Sequence, residues 1–352
     1  MKIRILLTIA LCAFTSMLAA QSLSEFKPKD NSYGLGKLKN SKGGNRIFIA
    51  GFDVNFQLYN EKQDYRQGGA MLGGGMRGES LAEVSVGLEG LDEKTVQEIT
   101  DQLYKDYITR LQSSGLTIIS PDEAAGIDSY RDFARMKGGS VTMAEIPGVM
   151  TCTPTGFEYF IKKVGKDGKE KKGGFLGSQA MMFPKLSSEL GDAIIGSVDM
   201  TVLFISEQDG FKGNGAKVKV KTSLRVVGTE AVTMTSDAAI KMKGQNTVTT
   251  VVSDVSFYHG KKGAGATSVY SGSLAKPLFI SGVIEDEKIT SFARGGTDAG
   301  TATIYGTFYS VRNAKTSNAK VIHVDPAKYK QGVYAAASKF LDHHLSEFLK
   351  AL

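Results

Sequence analysis

Order in the pattern begins at Arg46. "RIFIAGFDVNFQLY" is apolar on consecutive positions at first and then alternates, with Phe52, Val54, Phe56 and Leu58 set against Asp53, Asn55 and Gln57. A period of two over this length predicts a strand, buried on both faces at its start and on one face later. "LAEVSVGLEGL" alternates again through Ala82, Val84, Val86 and Leu88. The two runs flank "QGGAMLGGGMRG" at residues 67–78, which predicts a long β-hairpin with a glycine-rich tip. The period then changes. Val96, Ile99, Leu103, Tyr107 and Leu111 share one helical face, between an N-cap at Asp92 and a C′ glycine at Gly115. "LTIIS" at 116–120 reads as a short buried strand. Ser120, Pro121 and Glu123 supply the N-cap, N1 proline and capping-box glutamate of a second helix, expected to run to about Lys137.

Beyond this point the pattern is mostly of period two. "GFEYFIKKVGKDGKEKKGGF" reads as a strand, a lysine-rich turn and a return; "LSSELGDAIIGSVDMTVLFIS" reads as a short helix and a central strand. "AKVKVKTSLRVVG" places lysines on one face and valines on the other, and "NTVTTVVSDVSFY" and "GTATIYGTFYSVR" give two more strands. A last helix is capped by Asp325 and Pro326 and carries the stripe Val333, Ala337, Phe340, His344 and Phe348. The total is roughly seven to nine strands and three or four helices, with no internal repeat. Strand and helix alternate early, so the fold class is α/β (α+β), a mixed β-sheet extended by long β-hairpin insertions.

The amino terminus sets the compartment. Lys2 and Arg4 precede the apolar run "ILLTIALCAFTSMLAA", which ends in small residues before Gln21. Residues 1–20 therefore read as a secretory signal peptide, and Cys12 lies inside its apolar run without a good lipobox. No later apolar run reaches eighteen residues, so no transmembrane helix is expected. Residues 21–45 are polar and without period, which suggests a flexible or loosely docked leader. Residues 46–352 then form a single α/β domain with insertions at 60–80 and 138–185. After removal of Lys2 and Arg4, 41 basic residues face 36 acidic ones, a net charge of +5. This mild excess does not cluster with aromatics along one element, so no nucleic-acid partner is expected. Only Cys152 follows the signal peptide, so stability must come from the core rather than a disulfide.

Recognisable catalytic chemistry is missing. The "QGGAMLGGGMRG" segment lacks the Gly-Lys-Ser/Thr end of a phosphate-binding loop, and in "GKKGAGATS" Ala266 stands where the lysine should be. The four histidines, His259, His323, His343 and His344, form no metal-binding spacing, and His344 reads as a packing residue on a helix face. No G-x-S-x-G elbow is present, and Cys152 in "MTCTP" has no supporting motif. No cofactor, metal or catalytic residue is assigned, and the protein is not expected to be an enzyme.

The order of elements resembles a known family. "RIFIAGFDV", a long loop, "VQEITDQLYKDYITRLQSSG", "LTIIS", "LGDAIIGSVDMTV", "AKVKVKTSLRVV" and "GVYAAASKFLDHHLSEFL" follow one another as in the periplasmic α/β domain of the curli-secretion pore family (CsgG-like). They are also similar to the amino-terminal domain of the TolB translocation protein. The resemblance covers about half of the mature chain and implies an envelope protein working through self-assembly or partner binding. Two departures stand out. Gln21, not a lipidatable cysteine, stands directly after the expected signal peptide, and in "TEAVTMTSDAAIKMKGQNTVTTVVS" Asp, Lys and Thr interrupt any lipid-facing band.

The functional expectation is an exported, non-enzymatic cell-envelope protein, periplasmic or associated with the outer membrane, acting as a secretion or assembly accessory. A secreted surface or polysaccharide-binding module, or an envelope hydrolase without a readable motif, are the competing readings. Partners would be another protein or further copies of the chain, with peripheral membrane contact open. Met71, Leu72, Met76 and Arg77 form the candidate interaction loop, because glycine allows close backbone approach and methionine adapts to irregular apolar surfaces. Lys169, Lys171 and Lys172 form a candidate basic contact, or else a solvated tip that resists edge pairing.

Overall fold

The computed structural model describes residues 21–38, 41–70, 76–143, 146, 148–165, 170–171, 179–207, 216–235, 246–292 and 320–352. Its first long strands are β1 (Arg46–Gln57), β2 (Tyr59–Arg66) and β3 (Ser80–Glu89). Helices α1 (Glu93–Ser113), α2 (Pro121–Ala125) and α3 (Phe183–Glu189) follow. Then come β4 (Ile194–Glu207), β5 (Lys217–Val226), β6 (Thr229–Thr235), β7 (Asn246–Val252), β8 (Asp254–His259), β9 (Ser268–Leu274) and β10 (Lys288–Phe292). Helix α4 (Pro326–Leu349) is last. The mixed α/β class, with a sheet-dominated core, is what the sequence pattern implies.

Strands β1 and β4 run parallel at the centre, from Ile47 opposite Ile194 to Phe56 opposite Val202. Both are apolar on consecutive positions because both faces are covered. The register shifts between Gly196 and Ser197, where β1 carries one extra residue. This bulge reverses the side-chain parity. Ile47 and Ile49 therefore share a core with Phe52, Val54 and Phe56, while Phe48 and Ala50 enter the core on the opposite face. The outer edge of β1 takes Thr117–Ile118 in parallel and Val149–Cys152 antiparallel. The other edge of β4 takes β8 along its first half and β5 along its second. A further irregularity between Leu203 and Ile205 is satisfied by Gln57, whose Oε1 accepts from the N–H groups of Phe204 and Ile205, both at 3.1 Å.

Helices α1 and α4 lie side by side, joined by Arg110–Asp342 at 2.5 Å, Lys330–Glu98 at 2.5 Å and the Tyr334 hydroxyl on Asp106 at 2.5 Å. Their predicted stripes are buried, and Asp92 and Asp325 cap them as expected. Phe348 stacks on Phe257 of β8 at 3.8 Å. On the opposite face α2 and α3 supply Ala124, Phe183 and Leu186 to the second core.

Three expectations change. The second helix ends at Ala125 rather than near Lys137, and Ala134–Lys137 is a strand paired with Glu158–Ile161. Stacking of Tyr130 on Phe160 at 4.1 Å and the double ion pair of Arg135 with Asp122 and Glu158 hold the chain in this path. Tertiary contact has overridden local helical preference here. The polar stretch 21–45 is not a free leader: Ser22–Leu23 pairs with residues 280–281, and Pro28–Tyr33 with β9. Edge backbone groups need partners, which a polar strand supplies without any apolar period. The glycine-tipped hairpin exists, but its first arm is β2, not β1. The N–H groups of Leu58 and Tyr59 both donate to Gly148 O, and β2 then pairs with β3 from Tyr59↔Gly87 to Arg66↔Ser80. Ala82, Val84 and Val86 of this hairpin share a core with Val218 and Val220 of β5. The strand read at 300–312 lies outside the described residues.

Candidate functional site

The sheet gives off a second hairpin where β5 ends. Gly228 makes the exit possible: a Cβ there would lie 2.0 Å from Leu274 O, so backbone passes backbone with no room for a side chain. Polar groups clamp the exit. The Thr201 N–H donates to Ser253 Oγ at 2.9 Å, Ser273 Oγ donates to Ser253 O at 2.8 Å, and Ser253 N donates to Gly228 O at 2.8 Å. Arg225, 1% exposed, pairs with Glu230 and donates to the carbonyls of Ser223 and Ile205, both at 2.8 Å. A buried guanidinium satisfied in this way fixes geometry more than it adds stability.

From this base β6 and β7 form a two-stranded ribbon, from Thr229↔Val252 to Thr235↔Asn246. Directly opposed residues share a face. One face packs inward: Val232 and Val251 join Leu203 and Val227 in a small separate core. Further out, Glu207 accepts from the Thr233 N–H at 2.6 Å and from Lys62 Nζ at 2.6 Å. The Asn246 side chain accepts from the Gln63 N–H and donates to the Gln63 carbonyl, as a neighbouring strand would. The outward face is Thr229, Ala231, Thr233, Val248, Thr250 and Val252, with Val248 64% and Val252 41% exposed. It bears no charge. Among the described residues, neither outer edge of the ribbon pairs with a third strand.

Buried reactive groups are occupied structurally. The Cys152 thiol is buried, and desolvation pushes its pKa up to about 12, which makes it a poor nucleophile. His344 Nε2 donates to Ser273 O at 2.9 Å, which leaves Nδ1 to accept from the Tyr270 hydroxyl at 2.8 Å. Among the described residues no group of three or more His, Cys, Asp and Glu is placed to hold a metal ion. No helix is long and apolar enough to cross a membrane among those residues. The "GKKGAGATS" segment forms a tight turn between β8 and β9, with Lys262 bridged to Gly265, and opens no helix.

The residues singled out in the sequence fall differently. Met71 and Leu72 lie outside the described residues. Met76 and Arg77 continue the β2–β3 hairpin as a two-residue strand opposite Ala70 and Gly69, and nothing further is described of their side chains. Lys169 and Lys172 also lie outside, while the Lys171 backbone pairs with Lys163. The β6–β7 face was not singled out. Its signal was present as two nearly uncharged alternating runs on either side of the charged stretch that holds Asp237, Lys241 and Lys243. Those three charges lie outside the described residues, and the described strands carry one charge, Glu230.

No protein-family model matches the chain, and neither a curated protein nor a solved structure matches it. The likeness to the curli-secretion pore family rests on the order of elements.

Proposed function

We propose that the chain is an exported, non-enzymatic cell-envelope protein that acts by associating with further copies of itself, as an accessory to secretion or assembly. The observation that carries this reading is the β6–β7 ribbon: two seven-residue strands that pair with no third strand among the described residues, with an uncharged outward face and, on β7, an edge strand without charge. Open edges invite strand pairing, and proteins normally guard them with charge, proline or shortness. Three other described edges are guarded. Pro28–Tyr33 carries Pro28, Lys29 and Asp30, Ala134–Lys137 carries Arg135 and Lys137, and Val141–Met143 has three residues. The ribbon is also held in place by Arg225, Glu207 and Asn246. Pairing with a neighbour therefore orders little new backbone. The outward valines would each add roughly 1.5–3 kcal/mol if fully buried.

Hydrogen exchange at two protein concentrations tests this. Amides of residues 246–252 are expected to exchange fast in dilute protein and slowly at high concentration, while those of α1 stay unchanged. Protection in the ribbon that does not respond to concentration would count against the proposal.

A further inference from the structure

A second surface stands apart from the ribbon and goes beyond the reading just given. β5 pairs with β10 so that Lys217 is opposite Phe292, Lys219 opposite Thr290 and Lys221 opposite Lys288. Val218 and Val220 point into the core, so the three β5 lysines lie on the other face, together with Lys288 and Phe292. Like charges placed directly opposite one another are unfavourable. Compensation is partial: Lys221 pairs with Asp286 at 2.6 Å, but among the described residues Lys217, Lys219 and Lys288 have no carboxylate within ion-pair distance. Nearby acids are otherwise engaged. Glu207 lies opposite Val220 on the core side and takes Lys62, and Glu287 takes Lys320. Asp64 accepts from the Lys217 N–H at 2.9 Å and pairs with Arg66. Desolvation, followed by the charge of Lys219, holds the Lys217 ammonium below its ordinary pKa. Its Nζ sits 4.7 Å from the ring centroid of Phe292, which is itself 61% exposed.

We propose that this face, with Lys217, Lys219, Lys221, Lys288 and Phe292, docks on the surface of a bilayer that contains anionic phospholipid. The lysines would lie against headgroup phosphates. Lysine stems run along apolar surface while the ammonium stays polar, and an aromatic ring suits the headgroup–acyl boundary. The exposed ring argues for a bilayer over a soluble polyanion, which would neutralise the lysines but leave Phe292 in water. Lysine as a point charge fits headgroups that move laterally, whereas a fixed phosphate site favours the arginine fork.

Co-sedimentation of the full chain with vesicles tests the proposal. Binding is expected to vesicles of phosphatidylcholine mixed with phosphatidylglycerol, not to phosphatidylcholine alone, and to weaken as salt rises. Lys217→Gln with Lys219→Gln should lower the partition coefficient about 25-fold, from about fivefold per lysine. Phe292→Ser should weaken vesicle binding as well. Lys105→Gln with Lys261→Gln, the same charge change on exposed positions elsewhere, should leave it unaltered. The wild-type lipid and salt dependence stands whether or not a variant folds. The idea would be overturned by no preference for anionic vesicles, by equal loss in both double variants, or by binding to soluble polyphosphate without vesicle binding. Full displacement by inorganic phosphate at constant ionic strength would likewise assign the face to free phosphate.

Discussion

His344 shows how much one residue reveals on its own. Its place on the apolar stripe of α4 is legible in the sequence, and it is fully buried. Its partners are not legible, since Tyr270 lies 74 residues away on β9 and nothing local marks it. The same strand leaves space for it: a Cβ on Gly272 would lie 2.2 Å from His344 Nδ1. Burial, with His343 beside it, pushes the His344 pKa down to about 4, against hydrogen bonding to Ser273 O and the more distant charges of Asp30 and Glu347. The folded value lies below the unfolded one, so the unfolded chain takes up the proton first. This contribution to stability is complete above about pH 6.5 and is lost as pH falls toward about 4. Thermal denaturation should give a Tm lower by roughly 2–4 °C at pH 5 than at pH 7 from this residue. His344→Leu should remove that part of the slope, at a cost of about 2 kcal/mol or more for two buried groups left unpaired. An unchanged pH slope in the variant would assign the effect to another group.

Among the elements, those that carry their own signals were readable. Helices α1 and α4 have a 3.6-residue stripe and a capping aspartate each, and both appear where the pattern puts them. Helix α2 has its cap at Ser120 in the sequence, but its end has no local mark, because the contacts that set it come from Phe160 and Glu158, far along the chain. A two-residue strand such as Ser22–Leu23 has no period to read; it exists because a neighbouring edge supplies hydrogen-bond partners, whereas Thr117–Ile118 falls inside the short apolar run where a strand is expected. The β1 bulge also hid which of its apolar residues share a face. The ribbon's exit depends on one such long-range approach, between Gly228 and Leu274. Gly228→Ala should therefore cost about 2–4 kcal/mol in urea unfolding, since neither backbone segment can retreat. It should also loosen β6 and β7 more than α1 in hydrogen exchange. A change below about 0.5 kcal/mol, the range of ordinary surface substitutions, would show that the exit is not so constrained.

At the scale of the molecule, the α/β class followed from alternating strands and striped helices, while the proposed association surface did not. A surface that binds has no periodicity of its own. What marks it is the lack of guarding charge on an open edge, and that is visible only once strand pairing is known. The lysine face of β5 was half legible: its alternation with valine is in the sequence, but Lys288 and Phe292 join it only through the register with β10. The central claim is that the neutral outward face and the uncharged β7 edge hold copies of the chain together. Light scattering coupled to size-exclusion chromatography, applied to the wild type and to Val248→Lys with Thr250→Lys, tests it most directly. Two lysines on the outward face supply the guard that natural edges carry and leave Val232 and Val251 in place. The account predicts a defined oligomer for the wild type and a monomer of unchanged Tm for the variant. A monomeric wild type, or a variant that keeps the wild-type mass, would contradict it.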